Sequence, residues 1–301
     1  MAIPAEPKIG KNPPTGTEGG WVKRSPLIAA AVMGVLLLIA FWPILTSMYG
    51  SWFDEYLYME HGVLVAPAAA YMAWTNRERL RKIPREPSRW GLVLLAWGAL
   101  QALLGTAAQW VWVTRMSFLI SLTGCIALLF GLRMLKALAY PLCVLILMVA
   151  PPTFIYERLT LSLQLLASRV GESCLNLLGF SVLREGNVLE LVGVKLSVEE
   201  ACSGIRSLLA ILFMCALYNY FFVEGRSMRL LIFAMAIPIA ILANAGRIIA
   251  TAVASQYDRA LISGTAHETF GYVSVAFAAL GCMALHILML GIQKAWREKH
   301  A

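Results

Sequence analysis

A cysteine and an arginine lie four residues apart in VEEACSGIRSLLAILF, a segment that begins at Val198 and leads into a long apolar run. Cys202 precedes that run, and Arg206 follows one helical turn later on the same face. A thiolate is a nucleophile, and a helix N-terminus or a nearby cation favours its formation. The segment therefore predicts a nucleophilic cysteine or, because Ser203 and Gly204 are small, a close helix packing step.

Other polar residues of suitable type occur in three further segments. Asn244 and Arg247 lie in ILANAGRIIATA, His267 lies in TAHETFG, and His61 lies in YMEHGVLVAP. A histidine beside a cysteine could act as general acid and base, and an arginine could stabilise a tetrahedral oxyanion. Singly, each arginine could instead extend to the membrane interface, and each histidine could be an interfacial side chain. With Cys202, these residues predict an acyl-transfer site if the fold brings them to one depth.

The composition predicts a membrane protein. The chain has 301 residues, of which 59% are hydrophobic and 14% are charged, and its mean hydropathy is +0.71. Soluble domains are about 45–50% apolar and about 25% charged. Apolar runs of about 20 residues, the length that crosses a bilayer, recur along the chain. The predicted fold class is an all-α polytopic membrane protein.

Eight of these runs are predicted to be transmembrane helices: 26–48, 57–75, 90–109, 111–131, 134–150, 202–222, 229–251 and 269–292. Before the sixth, residues 155–178 are predicted to form an extracytoplasmic amphipathic helix, either on the outer leaflet or tilted against the bundle. A ninth span there would reverse the topology of everything downstream. Residues 187–198 partly alternate between apolar and polar and predict a short β-ribbon.

The predicted organisation has three parts: a disordered cytoplasmic N-terminus over 1–25, a transmembrane domain over 26–292 and a basic cytoplasmic tail over 293–301. Most lysines and arginines fall in these termini and in alternate loops, which places those segments on the cytoplasmic side. The densest cluster lies in the loop 76–89, with Arg77, Arg79, Arg81, Lys82, Arg85 and Arg89.

This topology brings Cys202, Arg206, Arg247, His267 and His61 to the outer third of the membrane. A nucleophile, a base and two cations at one depth favour a functional site over isolated packing residues. The net charge of +8 then reflects orientation in the membrane, and nucleic-acid binding is not predicted.

The six cysteines form no CxxC pair and have no metal-ligand spacing, so neither a metal nor a disulfide framework is predicted. No phosphate-binding loop or dinucleotide fingerprint occurs, and no cofactor is predicted. Four cysteines within apolar runs are predicted to act as small hydrophobic residues: Cys125, Cys143, Cys215 and Cys282.

ACSGIRSL (201–208) closely resembles the exosortase/archaeosortase family of membrane cysteine transpeptidases. Other segments are similar to that family in the same order: HG and the basic WTNRERLR within 61–81, GN with the apolar ribbon at 186–198, NAGRI at 244–248 and a later outward-facing histidine. The resemblance implies three catalytic residues, with Cys202 as nucleophile beside Arg247 and His267. It leaves supporting or substrate-binding roles for Arg206, Asn244, His61, Ser203 and Gly204.

The resemblance also implies a function. Such a protein would be a cysteine peptidase/transpeptidase of the bacterial inner membrane, with its active site facing the periplasm. Its partners would be membrane-anchored proteins whose C-terminal sorting signal has a Pro-Glu-Pro-like motif, a transmembrane helix and a basic cluster, as in PEP-CTERM systems linked to exopolysaccharide. The acceptor nucleophile is not identified. Arg206 would either read the acidic residue of the motif or hold the site together. The alternatives are a membrane transporter and a non-enzymatic assembly factor for polysaccharide export.

Overall fold

The computed structural model describes residues 21–54, 59–198, 204–258 and 264–300, with the backbone alone described at 21–27, 204–206 and 264–268. Helices follow one another through these ranges: α1 (Trp21–Ala40), α2 (Trp42–Trp52), α3 (Gly62–Thr75), α4 (Arg77–Arg81), α5 (Trp90–Ala107), α6 (Val111–Phe130), α7 (Leu132–Ala137), α8 (Ala139–Val144), a 3-10 helix (Leu145–Met148), α9 (Thr153–Leu177), α10 (Gly204–Phe222), α11 (Arg226–Tyr257) and α12 (Gly264–His300). Three strands lie between α9 and α10: β1 (Leu183–Glu185), β2 (Val188–Leu191) and β3 (Val194–Ser197).

The predicted all-α polytopic architecture agrees with the structure, but the number of eight spans is not confirmed. By length and hydropathy, four described helical segments could cross a membrane: Trp90–Ala107, Val111–Phe130, Arg226–Tyr257 and Thr269–His300. Two bent pairs raise this number to six if each is one span: Ile28–Ala40 with Trp42–Trp52, and Ala139–Met148 with Thr153–Leu177. The apolar helices Gly62–Thr75 and Ser207–Phe222 are shorter.

The bends within these two helix pairs have local causes. The first predicted span bends by 65° between α1 and α2, where Pro43 occupies the first turn of α2. Proline has no backbone N–H to donate to the carbonyl four residues earlier, so it interrupts a continuous helix but is tolerated in the first turn of a new one. The second bend, of 80°, follows the 3-10 helix, where Pro151 and Pro152 precede α9.

The predicted helix at 155–178 corresponds to α9, which is amphipathic and begins two residues earlier, at Thr153. Its buried face includes Gln164, Ala167 and Gly171, and it contacts α10 and α11. A Cβ added at Gly171 would lie 3.3 Å from Ile248 of α11, so the two helices approach closely. The helix therefore packs against the bundle, as expected for the second of the two predicted arrangements, a helix tilted against the bundle.

The strands form an antiparallel sheet in the order β1-β2-β3, with turns at Gly186 (φ 65°) and Gly193 (φ 77°). Because glycine adopts positive φ without strain, both tight turns are accessible to this sequence. The sheet begins at Leu183, before the predicted ribbon at 187–198, so the ribbon's position is not confirmed. Arg184 of β1 forms an ion pair with Glu172 of α9 at 2.8 Å, which fixes the sheet against that helix.

Two buried clusters meet around the last helices. One joins the sheet to α9 and α11 through Leu189 and Leu196 of the sheet, Leu175 of α9 and Ile248 of α11. The other joins α10, α11 and α12, and includes Ile211, Cys215, Ile232, Ala278 and Cys282. These clusters hold the sheet and the last three helices in one packed unit that contains most of the predicted site.

Candidate active site at the start of α10

Two described elements flank the predicted nucleophile in the sequence. Val198 follows β3, is fully buried and shares a cluster with Ile248 of α11. The helix α10 begins at Gly204, with the backbone of Arg206 in its first turn. Cys202 and Ser203 lie outside the described residues, between Val198 and Gly204. Val198, four residues before Cys202, therefore lies in the same cluster as Ile248, the residue that follows Arg247.

Arg247 reaches from α11 to α12. The side chain is half-buried, and its Nη1 and Cζ atoms lie 3.6 and 3.8 Å from the position that a Cβ would take on Gly271. Gly271 follows His267 by one helical turn, and residues four apart share a helix face. The guanidinium therefore lies beside the α12 face to which position 267 belongs, about 6 Å along the axis from it.

The side chain of His267 itself lies outside the described residues, but its backbone belongs to the first turn of α12. Ser274 follows Gly271 by three residues and is 5% exposed, with no hydrogen-bond partner for its Oγ among the described residues. Positions 267, 271 and 274 thus form a stripe of polar and small residues on the side of α12 that Arg247 contacts.

Asn244 lies one turn from Arg247 on α11 and is 5% exposed. Its Oδ1 atom has no hydrogen-bond partner in the part of the chain that the structure describes. The side chain borders a small cavity between α9, α10 and α11, whose other lining residues are Leu163, Ala167, Leu208, Ala240 and Ile241. Leu208 lies one turn after Gly204, so this cavity is close to the start of α10. A carbonyl oxygen in such a place could accept a backbone N–H of a bound peptide.

Thr251 extends the same face of α11, one turn beyond Arg247. It is fully buried, and its Oγ1 lacks a hydrogen-bond partner among the residues described. Buried polar groups without partners are uncommon in folded proteins. No role was predicted for Thr251 or Ser274, although they lie at helical spacing from Arg247 and His267.

His61 occupies a different environment. It occupies the N-cap position of α3 without a capping hydrogen bond from its side chain. Its ring forms a hydrogen bond with the backbone of Leu147 and lies 6.2 Å, between ring centroids, from Phe213 of α10. Phe213 follows Arg206 by seven residues, or about 10 Å along the helix. The structure thus brings Asn244, Arg247 and the His267 turn together, whereas His61 contacts α10 two turns further along that helix.

The described residues contain no group of three or more His, Cys, Asp or Glu side chains that could hold a metal ion. The polar groups brought together are a guanidinium, an amide and two hydroxyls. Such a set can bind a peptide and stabilise negative charge on a carbonyl oxygen.

Comparison with known proteins gives one family assignment. No curated protein matches the chain, and no solved structure matches it. The family model of the transmembrane exosortases matches residues 52–284, which include Cys202, Arg247 and His267. This match spans more than half of the sequence, and the chain belongs to the transmembrane exosortase family.

Proposed function

We propose that this exosortase is a cysteine peptidase/transpeptidase that cleaves C-terminal sorting signals through a thioester on Cys202. The observation that carries the proposal is the position of Arg247, whose guanidinium lies against α12 one turn from His267. The residue next to it, Ile248, packs in the cluster that contains Val198, just before Cys202. This packing supports an arrangement in which the three proposed catalytic residues meet at one end of the bundle.

The proposed reaction has two halves. The Cys202 thiolate attacks the scissile carbonyl carbon, and Arg247 with the backbone N–H groups at the start of α10 stabilises the resulting oxyanion. His267 donates a proton to the leaving amine as the C–N bond breaks, which leaves a thioester. His267 then accepts a proton from the acceptor nucleophile, whose attack on the thioester releases the Cys202 thiolate.

The Oδ1 atom of Asn244 is proposed to accept a hydrogen bond from the peptide backbone next to the scissile bond. A buried amide oxygen without a partner costs about 1–3 kcal/mol, and a substrate N–H would recover this energy on binding. Thr251 and Ser274 extend the same polar lining on either side of Arg247. Arg206, in the first turn of α10, keeps two proposed roles: reading the acidic residue of the sorting motif or holding the site together. Ser203 and Gly204 are proposed to let the substrate approach closely, and His61 to support the site by anchoring α3.

The proposed setting follows from the basic residues and the family. Both termini are proposed to be cytoplasmic and the active site to face the periplasm of a bacterial inner membrane. The substrates are proposed to be exported proteins with PEP-CTERM-type tails, in a system linked to exopolysaccharide.

The test is processing of a co-expressed tail substrate by a Cys202→Ala protein. We expect membrane insertion at the wild-type level and no cleaved product. The matched control is Cys174→Ala, because Cys174 is a partly exposed cysteine on α9 with no proposed role. Full processing by the Cys202→Ala protein would reject the proposed function.

A further inference from the structure

Two cysteines outside the proposed site meet inside the bundle. Cys215 of α10 and Cys282 of α12 are 67 residues apart in the chain, and their Sγ atoms are 3.0 Å apart. The two residues are 1% and 2% exposed. A disulfide bond is about 2.05 Å long, so roughly 1 Å of movement separates this contact from a covalent link.

The pair connects α10, which follows the proposed nucleophile in the chain, to α12, whose first turn includes the proposed base. Cys215 lies 11 residues after the start of α10, and Cys282 lies 15 residues after His267 on α12. At 1.5 Å per residue these separations are about 16 and 22 Å, so the pair lies well away from the proposed site. A link here would hold α10 against α12 without occupying the active site.

A polar environment begins one turn further along both helices. The hydroxyl of Tyr218 is 2.8 Å from Nδ1 of His286, across the same helix pair. His286 also borders a cavity of about 750 Å³. Its lining also includes charged residues of the predicted cytoplasmic side: Glu224, Arg226, Lys294, Arg297 and Glu298. Protons and small reagents thus have a route to the turn next to Cys282.

We propose that Cys215 and Cys282 form a redox-active dithiol that closes reversibly to a disulfide between α10 and α12. The oxidant is a two-electron acceptor of the quinone class, dissolved in the bilayer. Both S–H bonds break, one S–S bond forms, and two electrons and two protons pass to the quinone, which becomes a hydroquinone. A small dithiol reverses the step by thiol–disulfide exchange.

The disulfide itself does not depend on the proposed function; only its effect on substrate turnover does. The test therefore measures the bond and not the activity. The protein is a full-length variant in which the other four cysteines are alanine: Cys125→Ala, Cys143→Ala, Cys174→Ala and Cys202→Ala. It is reconstituted in lipid nanodiscs, oxidised with a lipid-soluble quinone, acid-quenched, denatured and alkylated.

We expect a mass lower by two hydrogen atoms, loss of both alkylatable thiols, and recovery of both after reduction. Adding Cys282→Ser to this background should leave one thiol that the quinone does not protect. The melting temperature should rise on oxidation of the two-cysteine protein and stay unchanged in the Cys282→Ser control. Two free thiols after oxidation in nanodiscs, from a chain that forms the disulfide once unfolded in detergent, would overturn the proposal.

Discussion

The hairpin of α5 and α6 and the interface of α11 and α12 are both close helix contacts, but they are built from different residues. On α5, Gly91, Gly98 and Gly105 recur every seven residues and face α6. A Cβ on Gly91 would lie 2.6 Å from Cα of Leu128, and one on Gly105 would lie 2.9 Å from the Thr114 amide nitrogen. Small residues let membrane helices approach to this distance.

The α11–α12 region buries three uncharged polar groups that lack partners among the described residues. Asn244 Oδ1, Thr251 Oγ1 and Ser274 Oγ all belong to this group. Each such group lowers stability by about 1–3 kcal/mol.

The α5–α6 hairpin also has buried polar atoms without described partners, Gln101 Oε1 and Arg115 Nε. The two regions therefore differ in the close glycine contacts of the hairpin and in the spacing of Asn244 and Thr251 one turn either side of Arg247. We propose that the hairpin is mainly scaffold and that the polar groups near Arg247 belong to the substrate site.

Replacement of Arg247 should give the largest change in activity and little change in stability. In Arg247→Ala, loss of an oxyanion donor should slow processing of a tail substrate about 10²–10³-fold. The melting temperature should remain close to that of the wild type. Arg247→Lys, which retains the charge but not the planar fork, should recover part of the rate. A drop in melting temperature that accounts for the lost activity would assign Arg247 to the scaffold instead.

Replacement of Gly91 should do the reverse. In Gly91→Ala, the new Cβ would overlap the Leu128 backbone, which cannot rotate away as a side chain could. We expect a lower melting temperature and less inserted protein, with an unchanged rate per folded molecule. The control is Gly34→Ala, since a Cβ on Gly34 meets no atom within 4 Å. If Gly91→Ala folds normally but processes substrate slowly, the contrast between the two interfaces fails.

Arg206 can be tested with a matched pair of substrates. If it reads the acidic residue of the motif, Arg206→Ala should process the natural tail about tenfold less efficiently, the loss typical of a charged hydrogen bond. A tail with Gln in place of that Glu should then be processed equally by Arg206→Ala and wild-type protein. Equal slowing of both tails would assign Arg206 to holding the site together.

Thr251→Val should have the smallest effect. Valine matches threonine in shape and removes the hydroxyl that lacks a partner, so the melting temperature should hold or rise. Processing should fall several-fold if the hydroxyl contacts substrate. The control is Ser255→Ala, because the Ser255 hydroxyl already donates to the Ala252 carbonyl at 2.6 Å and lies one turn further along the same helix. A lower melting temperature in Thr251→Val with unchanged processing would contradict the proposed polar lining.

Hydropathy predicted the membrane class and the approximate positions of most helices, because burial in lipid imposes long apolar runs. It did not predict the bend at Phe41 or the division of 134–150 into α7, α8 and a 3-10 helix. Those features depend on backbone hydrogen bonds near prolines, which a hydropathy average does not register.

Helical spacing similarly predicted that Asn244 and Arg247 share a face, which local geometry alone determines. The contact of Arg247 with the Gly271 turn, and that of Cys215 with Cys282, depend on how α10, α11 and α12 pack. The distances between these residues along the sequence do not predict how the three helices pack. Helical spacing also puts Thr251 on the face of Arg247 and Ser274 on the face of His267. A single hydroxyl in an apolar helix does not indicate a site, however, until its burial is known.

The central claim is that Cys202 carries the substrate as a thioester, and peptide mapping after acid quench tests it most directly. The wild-type protein is mixed with a tail substrate, quenched during turnover and digested. We predict that the peptide containing Cys202 carries the N-terminal cleavage fragment and that hydroxylamine releases it. Ongoing cleavage with the Cys202 peptide unmodified, together with cleavage by the Cys202→Ala protein, would contradict the account.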